Sequence, residues 1–520
     1  MIDVTGGSKA CFEASNYINR KFLKSEGEFF DNINPSTKES VGKFPQSTPT
    51  EVSLAYTGAR IAFEKWRKLS RVKRGDHFFK VAQIIERRRE ELAVIISAET
   101  GKSYNESIAE VNEALHMAQY AFGSGRNPIG EVIASEISEK DSYMLRKPKG
   151  VIAIVSPFNF PVAIGAFWCA APALVEGNTV ILKPSEDAPM SSHMCAEIYH
   201  EAGFPRGVFN VVYGDGDVGN LLVREEVDHI CFTGSAEVGQ HVRKVAAESW
   251  HKTTSCEMGS KSAVIILDDA DLDLAIPACI ASAFKLSGQR CVSAGRMIVH
   301  REIFDEFVER FSKAVGEVTF GSPLRNYDLF VDPLNRVSIR NFKVNEGVYY
   351  GPLINQQALD KVLKYNKMVF EDPEVSVLFK GEPTDVLEDK GYFISPTIYT
   401  SEWRDVPFLK EEVFGPHVAI IPVDDTEQAI EVYNDTEYGL ALGVITEDFK
   451  KARLCRNECD AGMIYWNGGS IAAESHLAFG GVKKSGNGFP SAARTFRAVT
   501  HEISWTVNHA DSLEFPQGMK

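Results

Sequence analysis

The feature that most restricts the possible folds is an alternation of short apolar runs with helix-sized stretches, which begins near Gly150. Four runs fit buried strands: residues 151–155, 179–182, 209–212 and 229–232. Helical stretches such as 190–202 and 236–247 separate them. Strand, crossover helix, strand is typical of a parallel sheet that binds ligands at the carboxyl ends of its strands. We therefore predict that this half of the chain is α/β and binds a nucleotide.

A second alternating region follows Gly259. Its predicted strands are 263–267, 297–299, 418–422 and 441–445, and its predicted helices include 271–286 and 301–315. Upstream of Gly150, apolar residues at three- and four-residue spacing predict helices over 51–70, 72–97 and 103–122. A chain of 520 residues exceeds one ordinary core, so we expect two or three domains.

Three further segments have distinct patterns. Residues 136–149 and 499–508 look like strands, and the second alternates polar and apolar residues with a period of two. They either form a sheet that bridges subunits or close the edge of their own sheet. Residues 322–350 form a long connection with enough apolar residues to pack, and predict either a lid or interface or a plain surface excursion.

Composition excludes several functions. The net charge of −15 argues against nucleic-acid binding and against an anionic membrane surface. Nine cysteines without paired spacing do not indicate a disulfide framework or a metal site. No apolar leader and no run of apolar residues long enough to span a bilayer is visible, so we expect a soluble, cytoplasmic protein.

One thiol and one carboxylate stand out on separate glycine-containing turns. Cys291 lies in Gly288-Gln289-Arg290-Cys291-Val292-Ser293, and Glu257 lies upstream in Cys256-Glu257-Met258-Gly259. A lone cysteine is more often a small buried hydrophobe, and a lone glutamate is more often solvated. Together they supply a nucleophile and a candidate base for covalent catalysis.

Four other segments accompany this pair in a fixed order. They are Ser156-Pro157-Phe158-Asn159-Phe160-Pro161, the segment 177–186, Phe232-Thr233-Gly234-Ser235 with Gly239, and Glu411-Glu412-Val413-Phe414-Gly415-Pro416. In order, spacing and residue type, from about Asn34 to about Asn508, the chain resembles the aldehyde dehydrogenase superfamily. The resemblance implies an α/β fold with a Rossmann-type cofactor domain (1–135 and 150–258), an α/β catalytic domain (259–484) and a small oligomerisation β-element (136–149 and 485–520).

The resemblance also implies catalytic roles. Cys291 would attack the aldehyde carbon, and Asn159 with the Cys291 N–H would stabilise the oxyanion. Glu257 would activate the water that releases the acid. Without that context, Asn159 could bond its own turn, and Glu257 could pair near Lys261.

The predicted cofactor residues come from several places along the chain. Gly234 and Ser235 open a helix directly after a strand, where a pyrophosphate can bind the helix N-terminus. Lys183 and Glu186 match the family positions that hold the adenine-side ribose, and the carboxylate favours NAD, with NADP still possible. The remaining predicted contacts are Ser156, Pro157, Phe158, Ser185, Val238, Gly259, Glu412 and Phe414.

The predicted substrate residues are Phe160, Arg290, Ser293, Gly469, Ser470 and Phe479. Arg290 would either receive a substrate carboxylate or fix a neighbouring loop. Gly469 and Ser470 would offer backbone and hydroxyl donors to a polar tail. Pro490 stands where many relatives place an acidic proton-relay residue, so any relay behind Glu257 must differ here.

The sequence thus predicts an NAD-dependent aldehyde dehydrogenase that oxidises a carboxylate- or polar-ended semialdehyde through a cysteine thiohemiacetal and thioester. Substrates resembling glutamate, succinylglutamate or aminoadipate semialdehyde fit this class. The alternatives are a CoA-acylating semialdehyde dehydrogenase and a catalytically silent structural relative. We expect no bound metal, no nucleic-acid partner, no membrane, and a homodimer or homotetramer.

Overall fold

The computed structural model describes residues 12–332, 335–384 and 390–515. The first eleven residues of the predicted cofactor domain and the last five of the predicted β-element therefore lie outside the described residues. Most of the described chain is organised around two seven-stranded sheets. The two sheets lie in succession along the sequence, and the predicted boundary after residue 258 falls between them.

The first sheet has a parallel centre and an antiparallel edge pair. In spatial order its strands are Thr253–Glu257, His229–Thr233, Val151–Val155, Thr179–Lys183, Phe209–Val211, Asn16–Ile18 and Lys21–Leu23. The parallel strands are buried on both faces, which explains their nearly continuous apolar runs. Lys183, Thr233 and Glu257 end their strands at the same edge of this sheet.

Eight α-helices accompany the first sheet. They are Pro49–Trp66, Arg71–Arg87, Arg89–Thr100, Tyr104–Ser124, Ala170–Glu176, Pro189–Glu201, Gly216–Arg224 and Ala236–Ala247, and a π-helical segment, Ala163–Cys169, precedes Ala170–Glu176. Local chemistry sets several of their ends. Thr48 and Glu51 form a capping box at the first helix, and Gly101 ends the third in a left-handed conformation.

One helix prediction was wrong. The single helix expected over 72–97 is two helices, with the break at Arg88. Arg88 leaves helical backbone angles, and its guanidinium pairs with Glu91 and Glu197. These tertiary contacts stabilise a break that the apolar periodicity does not reveal.

The second sheet is parallel except at one edge. Its strands, in spatial order, are Ser376–Phe379, Thr397–Thr400, His417–Val423, Arg296–His300, Ala263–Ile266, Ala441–Ile445 and Met463–Trp466. Its helices are Leu272–Phe284, Phe304–Gly316, Gln356–Glu371, Pro407–Lys410, Thr426–Asn434 and Phe449–Glu458. Two separate apolar clusters contain alternate residues of its central strands, so this sheet is also covered on both faces.

A three-stranded antiparallel sheet stands apart from both large sheets. It contains Gly130–Ile133, Lys140–Pro148 and Thr500–Asn508, with Lys140–Pro148 in the centre. Gly130–Ile133 had been assigned to the cofactor domain by the sequence. Residues 485–487, assigned to the β-element, instead lie against the end of the strand Thr253–Glu257, where Met258 donates its N–H to the Ser485 carbonyl and Asn487 bonds Thr254 and Cys256.

The long connection at 322–350 contains a β-hairpin of Leu324–Val331 and Val337–Val344. Its apolar residues Leu324, Val337 and Ile339 join the core under the first sheet's helices. Arg88 donates to the Val337 carbonyl at 2.7 Å, and the Val337 N–H donates to Glu197 at 2.6 Å. The hairpin therefore packs onto the helices that accompany the first sheet of the same chain.

Three short strand pairs complete the described fold: Phe29–Ile33 with Ser40–Pro45, Tyr438–Gly439 with Val482–Lys483, and Ala478–Phe479 with Ser491–Ala492. A short helix, Thr495–Ala498, leads into the last strand. Within the described residues, no helix has the length and apolar character needed to cross a membrane.

Candidate active site

Cys291 is presented by a strained turn after the helix Leu272–Phe284. Three consecutive residues, Leu286, Ser287 and Gly288, have positive φ angles. A Cβ on Gly288 would clash with the Gly415 carbonyl, so only glycine fits there. Gln289 anchors the turn because its Oε1 accepts from the Ile354 N–H at 2.9 Å. The turn thus leaves Cys291 partly exposed, whereas every other described cysteine is buried.

The pKa of Cys291 is raised to about 12, chiefly by burial and then by the nearby carboxylates of Glu412 and Glu257. The backbone N–H groups of Val292 and Cys291 act in the opposite direction. A thiol in this environment stays protonated until a base or a bound electrophile changes the balance. This control suits a nucleophile that is to react only with a bound substrate.

Asn159 follows the strand Val151–Val155 and is buried beside the Cys291 turn. Its Nδ2 donates to the Gln289 carbonyl at 3.0 Å, so the side chain bonds the catalytic turn and not its own. Its Oδ1 has no partner among the described residues. An amide held this close to the thiol's backbone can serve as an oxyanion donor.

Glu257 ends the strand Thr253–Glu257 and is only 4% exposed. Burial raises its pKa well above that of an ordinary carboxyl, while a hydrogen bond from the Gly481 backbone lowers it. Its Oε2 makes no hydrogen bond to any described residue. Lys261, the alternative partner, donates instead to the Phe408 carbonyl at 2.9 Å. A buried carboxylate with one free oxygen has the character of a general base.

A cleft of about 630 Å³ leads to Cys291 and Asn159 from the carboxyl edge of the first sheet. This volume suits a cofactor-sized ligand. All twelve predicted cofactor residues line it: Ser156, Pro157, Phe158, Lys183, Ser185, Glu186, Gly234, Ser235, Val238, Gly259, Glu412 and Phe414.

The helix Ala236–Ala247 points its N-terminus into this cleft. Ser235 caps it by accepting the Val238 N–H at 3.3 Å. A Cβ on Gly234 would clash with the Phe232 ring, so the turn needs glycine for its close approach. The arrangement gives an anion site built from backbone amides and the helix dipole.

Glu412 and Phe414 define the inner end of the cleft. Glu412 accepts the Ser260 N–H at 2.7 Å, and a Cβ on Gly259 would collide with its carboxylate. Phe414 has a positive φ and packs edge-on against Phe158, with ring centroids 6.1 Å apart. An aromatic pair next to a carboxylate can hold a flat heterocycle and a sugar hydroxyl.

Lys183 and Glu186 stand together at the outer part of the cleft. Lys183 Nζ donates to Glu186 Oε2 at 3.1 Å. Lys183 is buried, whereas the Glu186 side chain is 45% exposed. The carboxylate is therefore free to receive hydroxyl donors from a bound ligand.

Arg290 is tied to the helix Tyr104–Ser124. Its guanidinium donates to Glu106 at 2.5 Å and lies over the Phe160 ring, 5.2 Å from the centroid. Glu106 also accepts from the Leu286 N–H at 3.2 Å, so it holds both Arg290 and the start of the catalytic turn. Arg290 Nε has no partner among the described residues. The side chain thus fixes a loop and retains a free donor.

The other predicted substrate residues already form hydrogen bonds or packing contacts within the protein, which the sequence does not indicate. Ser470 is fully buried, and its hydroxyl donates to the Val292 carbonyl at 2.6 Å. Gly469 packs against Ser282, and Ser293 Oγ accepts from the Arg290 N–H at 3.3 Å. Phe479 packs on Trp168 with ring centroids 5.2 Å apart.

Two sets of contacts that position the site were not predicted from the sequence. Lys102 and Glu110 form a buried pair at 2.5 Å, and Lys102 also donates to the Asn159 carbonyl at 2.7 Å. Across the cleft, Asn355 caps the helix Gln356–Glu371 and donates to Asp187 at 3.2 Å. Asn355 could be predicted as a helix cap, but its position at the cleft depends on how the elements around the two large sheets pack together.

A nucleophilic thiol, an amide donor and a buried carboxylate meeting beside a nucleotide-sized cleft define an enzyme that oxidises aldehydes through a covalent intermediate. The model of the aldehyde dehydrogenase family matches residues 22–504. The chain belongs to the aldehyde dehydrogenase family, which confirms the predicted family, fold class and enzyme class.

Individual proteins that the chain resembles are also aldehyde dehydrogenases. Alpha-ketoglutaric semialdehyde dehydrogenase of Bacillus subtilis (strain 168) is 34% identical over 477 residues, covering 90% of this chain and 93% of that protein. Malonate-semialdehyde dehydrogenase of Lacticaseibacillus casei is 32% identical over 472 residues, covering 90% and 91%. The crystal structure of betaine aldehyde dehydrogenase from Staphylococcus aureus in complex with NAD+ superposes with a TM-score of 0.88 at 28% identity, covering 96% of each chain.

Proposed function

We propose that this protein oxidises a small aldehyde with a carboxylate or polar end to the free carboxylic acid, with NAD as the hydride acceptor. The observation that carries the proposal is that Cys291 and Asn159 line the same cleft as the twelve predicted cofactor residues, while Glu257 lies near enough for its charge to raise the pKa of Cys291. The names of relatives support it, since two are semialdehyde dehydrogenases and one was crystallised with NAD+. The intact trio argues against a silent structural relative.

The cleft fits NAD. The N-terminus of the helix Ala236–Ala247 would receive the pyrophosphate, Glu186 the adenine-side ribose hydroxyls, and Glu412 the nicotinamide-side ribose. The exposed Glu186 carboxylate would repel a 2′-phosphate, which favours NAD over NADP. Hydride acceptance is the chemistry that NAD supplies when bound.

In the first half-reaction, the Cys291 thiol gives its proton to solvent in the cleft as its sulfur attacks the aldehyde carbon, and the carbonyl oxygen becomes an oxyanion. The sulfur takes a proton back when it leaves as a thiolate in the second half-reaction. Asn159 Nδ2 exchanges its bond to the Gln289 carbonyl for this oxygen, and the Cys291 N–H donates the second bond. Loss of hydride from the adduct leaves a thioester on Cys291.

In the second half-reaction, Glu257 Oε2 accepts a proton from a water that attacks the thioester carbon, and the Cys291 sulfur leaves. A CoA-acylating enzyme needs no such base, because a thiol takes the acyl group directly. The buried Glu257 carboxylate, whose Oε2 has no partner among the described residues, therefore favours hydrolysis.

For the substrate tail, Arg290 is the positive group to test. Glu106 occupies one terminal nitrogen, and Nε remains without a partner in the described part of the chain, so the guanidinium retains donors for a carboxylate. Its second role, fixing the catalytic turn through Glu106, makes a single substitution ambiguous.

The test compares NADH formation from two aldehydes of equal chain length, one ending in a methyl group and one in a carboxylate. Wild type, Arg290→Met, and the charge-balanced double variant Arg290→Met with Glu106→Gln are assayed with and without CoA. We expect wild type to prefer the carboxylate without CoA, and both variants to lose about tenfold of that preference. Equal loss for both aldehydes would make Arg290 purely structural, and a requirement for CoA would exclude hydrolysis.

We also propose a homodimer or homotetramer built through the three-stranded sheet. The Val132 side chain on its outer strand is 77% exposed, and Trp505 on the opposite strand is 54% exposed. Exposed apolar residues on both outer strands favour pairing with a second copy. Light scattering of wild type and Val132→Lys tests this, with a smaller species expected for the variant.

The eight described cysteines are free thiols, which fits a cytoplasmic location.

A further inference from the structure

Residues 184–188 join the strand Thr179–Lys183 to the helix Pro189–Glu201, and we call them the ribose loop. Three residues of this loop line the cleft: Ser185, Glu186 and Asp187. Glu186 is the residue proposed to receive the adenine-side ribose hydroxyls of NAD. The position of the ribose loop therefore bears directly on how the cofactor binds.

Contacts within the first half of the chain hold the backbone of the ribose loop. Asn32 Nδ2 donates to the Asp187 carbonyl at 3.0 Å, and the Asp187 N–H donates to Ser185 Oγ at 3.3 Å. The buried Glu99 carboxylate accepts two N–H groups at the start of the following helix, at 2.8 and 2.9 Å. None of these bonds involves the Asp187 carboxylate, which is left to bond elsewhere.

The Asp187 carboxylate bonds to the opposite wall of the cleft. Asn355 Nδ2 lies 3.2 Å from Oδ1 and 3.3 Å from Oδ2 of Asp187. Lys183, which also lines the cleft, forms its ion pair with Glu186. Burial raises the pKa of Asp187 above its ordinary value, and the hydrogen bond from Asn355 opposes that rise. The Asn355 amide therefore stabilises the ionised form of Asp187.

Asn355 is itself held in place by the second half of the chain. Its Oδ1 accepts the Ala358 N–H at 2.9 Å and caps the helix Gln356–Glu371, which packs on the second sheet. The preceding residue, Ile354, donates its N–H to Gln289 Oε1 at 2.9 Å in the catalytic turn. Because Asn355 is fixed at both of these points, its bond to Asp187 ties the ribose loop to the catalytic turn.

A loop that is already held in its binding conformation binds a ligand more tightly, because less conformational entropy is lost on binding. We propose that the hydrogen-bonded pair of Asp187 and Asn355, which we call the cleft bridge, holds the ribose loop in its cofactor-binding position and thereby sets the affinity for NAD. This inference rests on the proposed placement of NAD in the cleft. Asp187 and Asn355 are positioning residues that act through the loop carrying Glu186.

The experiment measures NAD binding to the full-length protein by calorimetry, without aldehyde. Asn355→Asp keeps a helix-capping residue but sets two carboxylates against each other, and Asp187→Ala removes the acceptor. The double variant Asp187→Asn with Asn355→Asp exchanges the two groups, so that an amide again donates to a carboxylate. Ser70→Asp is the matched control, because it adds the same charge at an exposed helix N-cap that does not line the cleft.

We expect the Kd for NAD to rise about tenfold in both single variants and to return to within about threefold of wild type in the double variant. Ser70→Asp should bind NAD as wild type does. A simple effect of charge on the anionic cofactor gives a different order, because Asp187→Ala removes a negative charge from the cleft and would then bind NAD at least as tightly as wild type. A ribose contact made by the Asp187 carboxylate itself would leave the double variant weak.

The proposal is overturned if Asp187→Ala binds NAD as tightly as wild type, or if the double variant binds no better than Asn355→Asp. Thermal unfolding checks that each variant is folded. Should Asn355→Asp fail to fold, Asn355→Ser is used, because serine keeps a capping oxygen and lacks the amide, and wild-type affinity in that variant rejects the bridge. Wild type that binds no NAD would refute the proposed cofactor together with the bridge, whereas normal binding in wild type and in Asp187→Ala refutes only the bridge.

Discussion

The two sides of Cys291 differ in how the protein uses its polar groups. On the side proposed to bind the cofactor, called the cofactor side, Glu186 and the amides at the N-terminus of Ala236–Ala247 face an open cleft. On the side proposed to bind the substrate, called the substrate side, Ser470 and Arg290 already bond the protein, to Val292 and Glu106 respectively. The first side is arranged to receive a large ligand, and the second is arranged to hold the catalytic turn rigid. Rigidity near the thiol favours precise attack on a small aldehyde.

The largest expected effect comes from removing Cys291, the proposed nucleophile, which lies between the two sides. Cys291→Ala should lower NADH formation by at least about 10³-fold, because no thioester can form. NAD binding, measured by calorimetry, should stay within about twofold of wild type, since the twelve predicted cofactor residues are untouched. The control for loss of a thiol is Cys279→Ala, because Cys279 is fully buried on the helix Leu272–Phe284. Weak NAD binding in Cys291→Ala would show that the two sides are not separable.

The next effect concerns Glu257. Because burial raises its pKa, the carboxyl remains protonated above the ordinary carboxyl range and gains its base form only as the pH rises. We expect acyl-enzyme hydrolysis in wild type to increase with pH above the ordinary carboxyl range. Glu257→Gln should slow hydrolysis by about 10²-fold and remove this rise. A pH-dependent rate that persists in Glu257→Gln would assign the base elsewhere.

The contrast between the two sides also explains what the sequence could predict. Cofactor contacts depend on turns after strands and on glycines at helix starts, and these leave local signals at Gly234 and Gly259. The strands Val151–Val155 and Ala441–Ile445 likewise follow from their apolar runs.

The substrate side depends on partners distant in sequence. Glu106 precedes Arg290 by well over a hundred positions, and nothing local links them. The same holds for the buried pair of Lys102 and Glu110 that supports Asn159, and for the break at Arg88, which depends on Glu197. Long-range side-chain pairing is set by the packed fold, so a single sequence does not reveal it.

A smaller effect tests the fit of the cofactor side. Gly259→Ala places a methyl group against the Glu412 carboxylate, which must then leave the Ser260 N–H. We expect the KM for NAD to rise about tenfold, with the KM for aldehyde nearly unchanged. Gly316→Ala is the control, because its Cβ would meet open space at the end of the helix Phe304–Gly316. An equal rise in both KM values would contradict a separate cofactor side.

The smallest effect concerns the outer rim of the same cleft. Glu186→Ser removes a carboxylate that would repel a 2′-phosphate and frees Lys183, which would attract one. Because the Glu186 side chain is 45% exposed, solvent screens the change, and we expect the NAD-to-NADP ratio of kcat/KM to fall only about threefold to tenfold. Glu64→Ser is the matched control: Glu64 pairs with Arg67 at the same three-residue spacing, and the pair does not line the cleft. If Glu186→Ser leaves the ratio unchanged, the preference for NAD arises from the shape of the cleft and not from this charge.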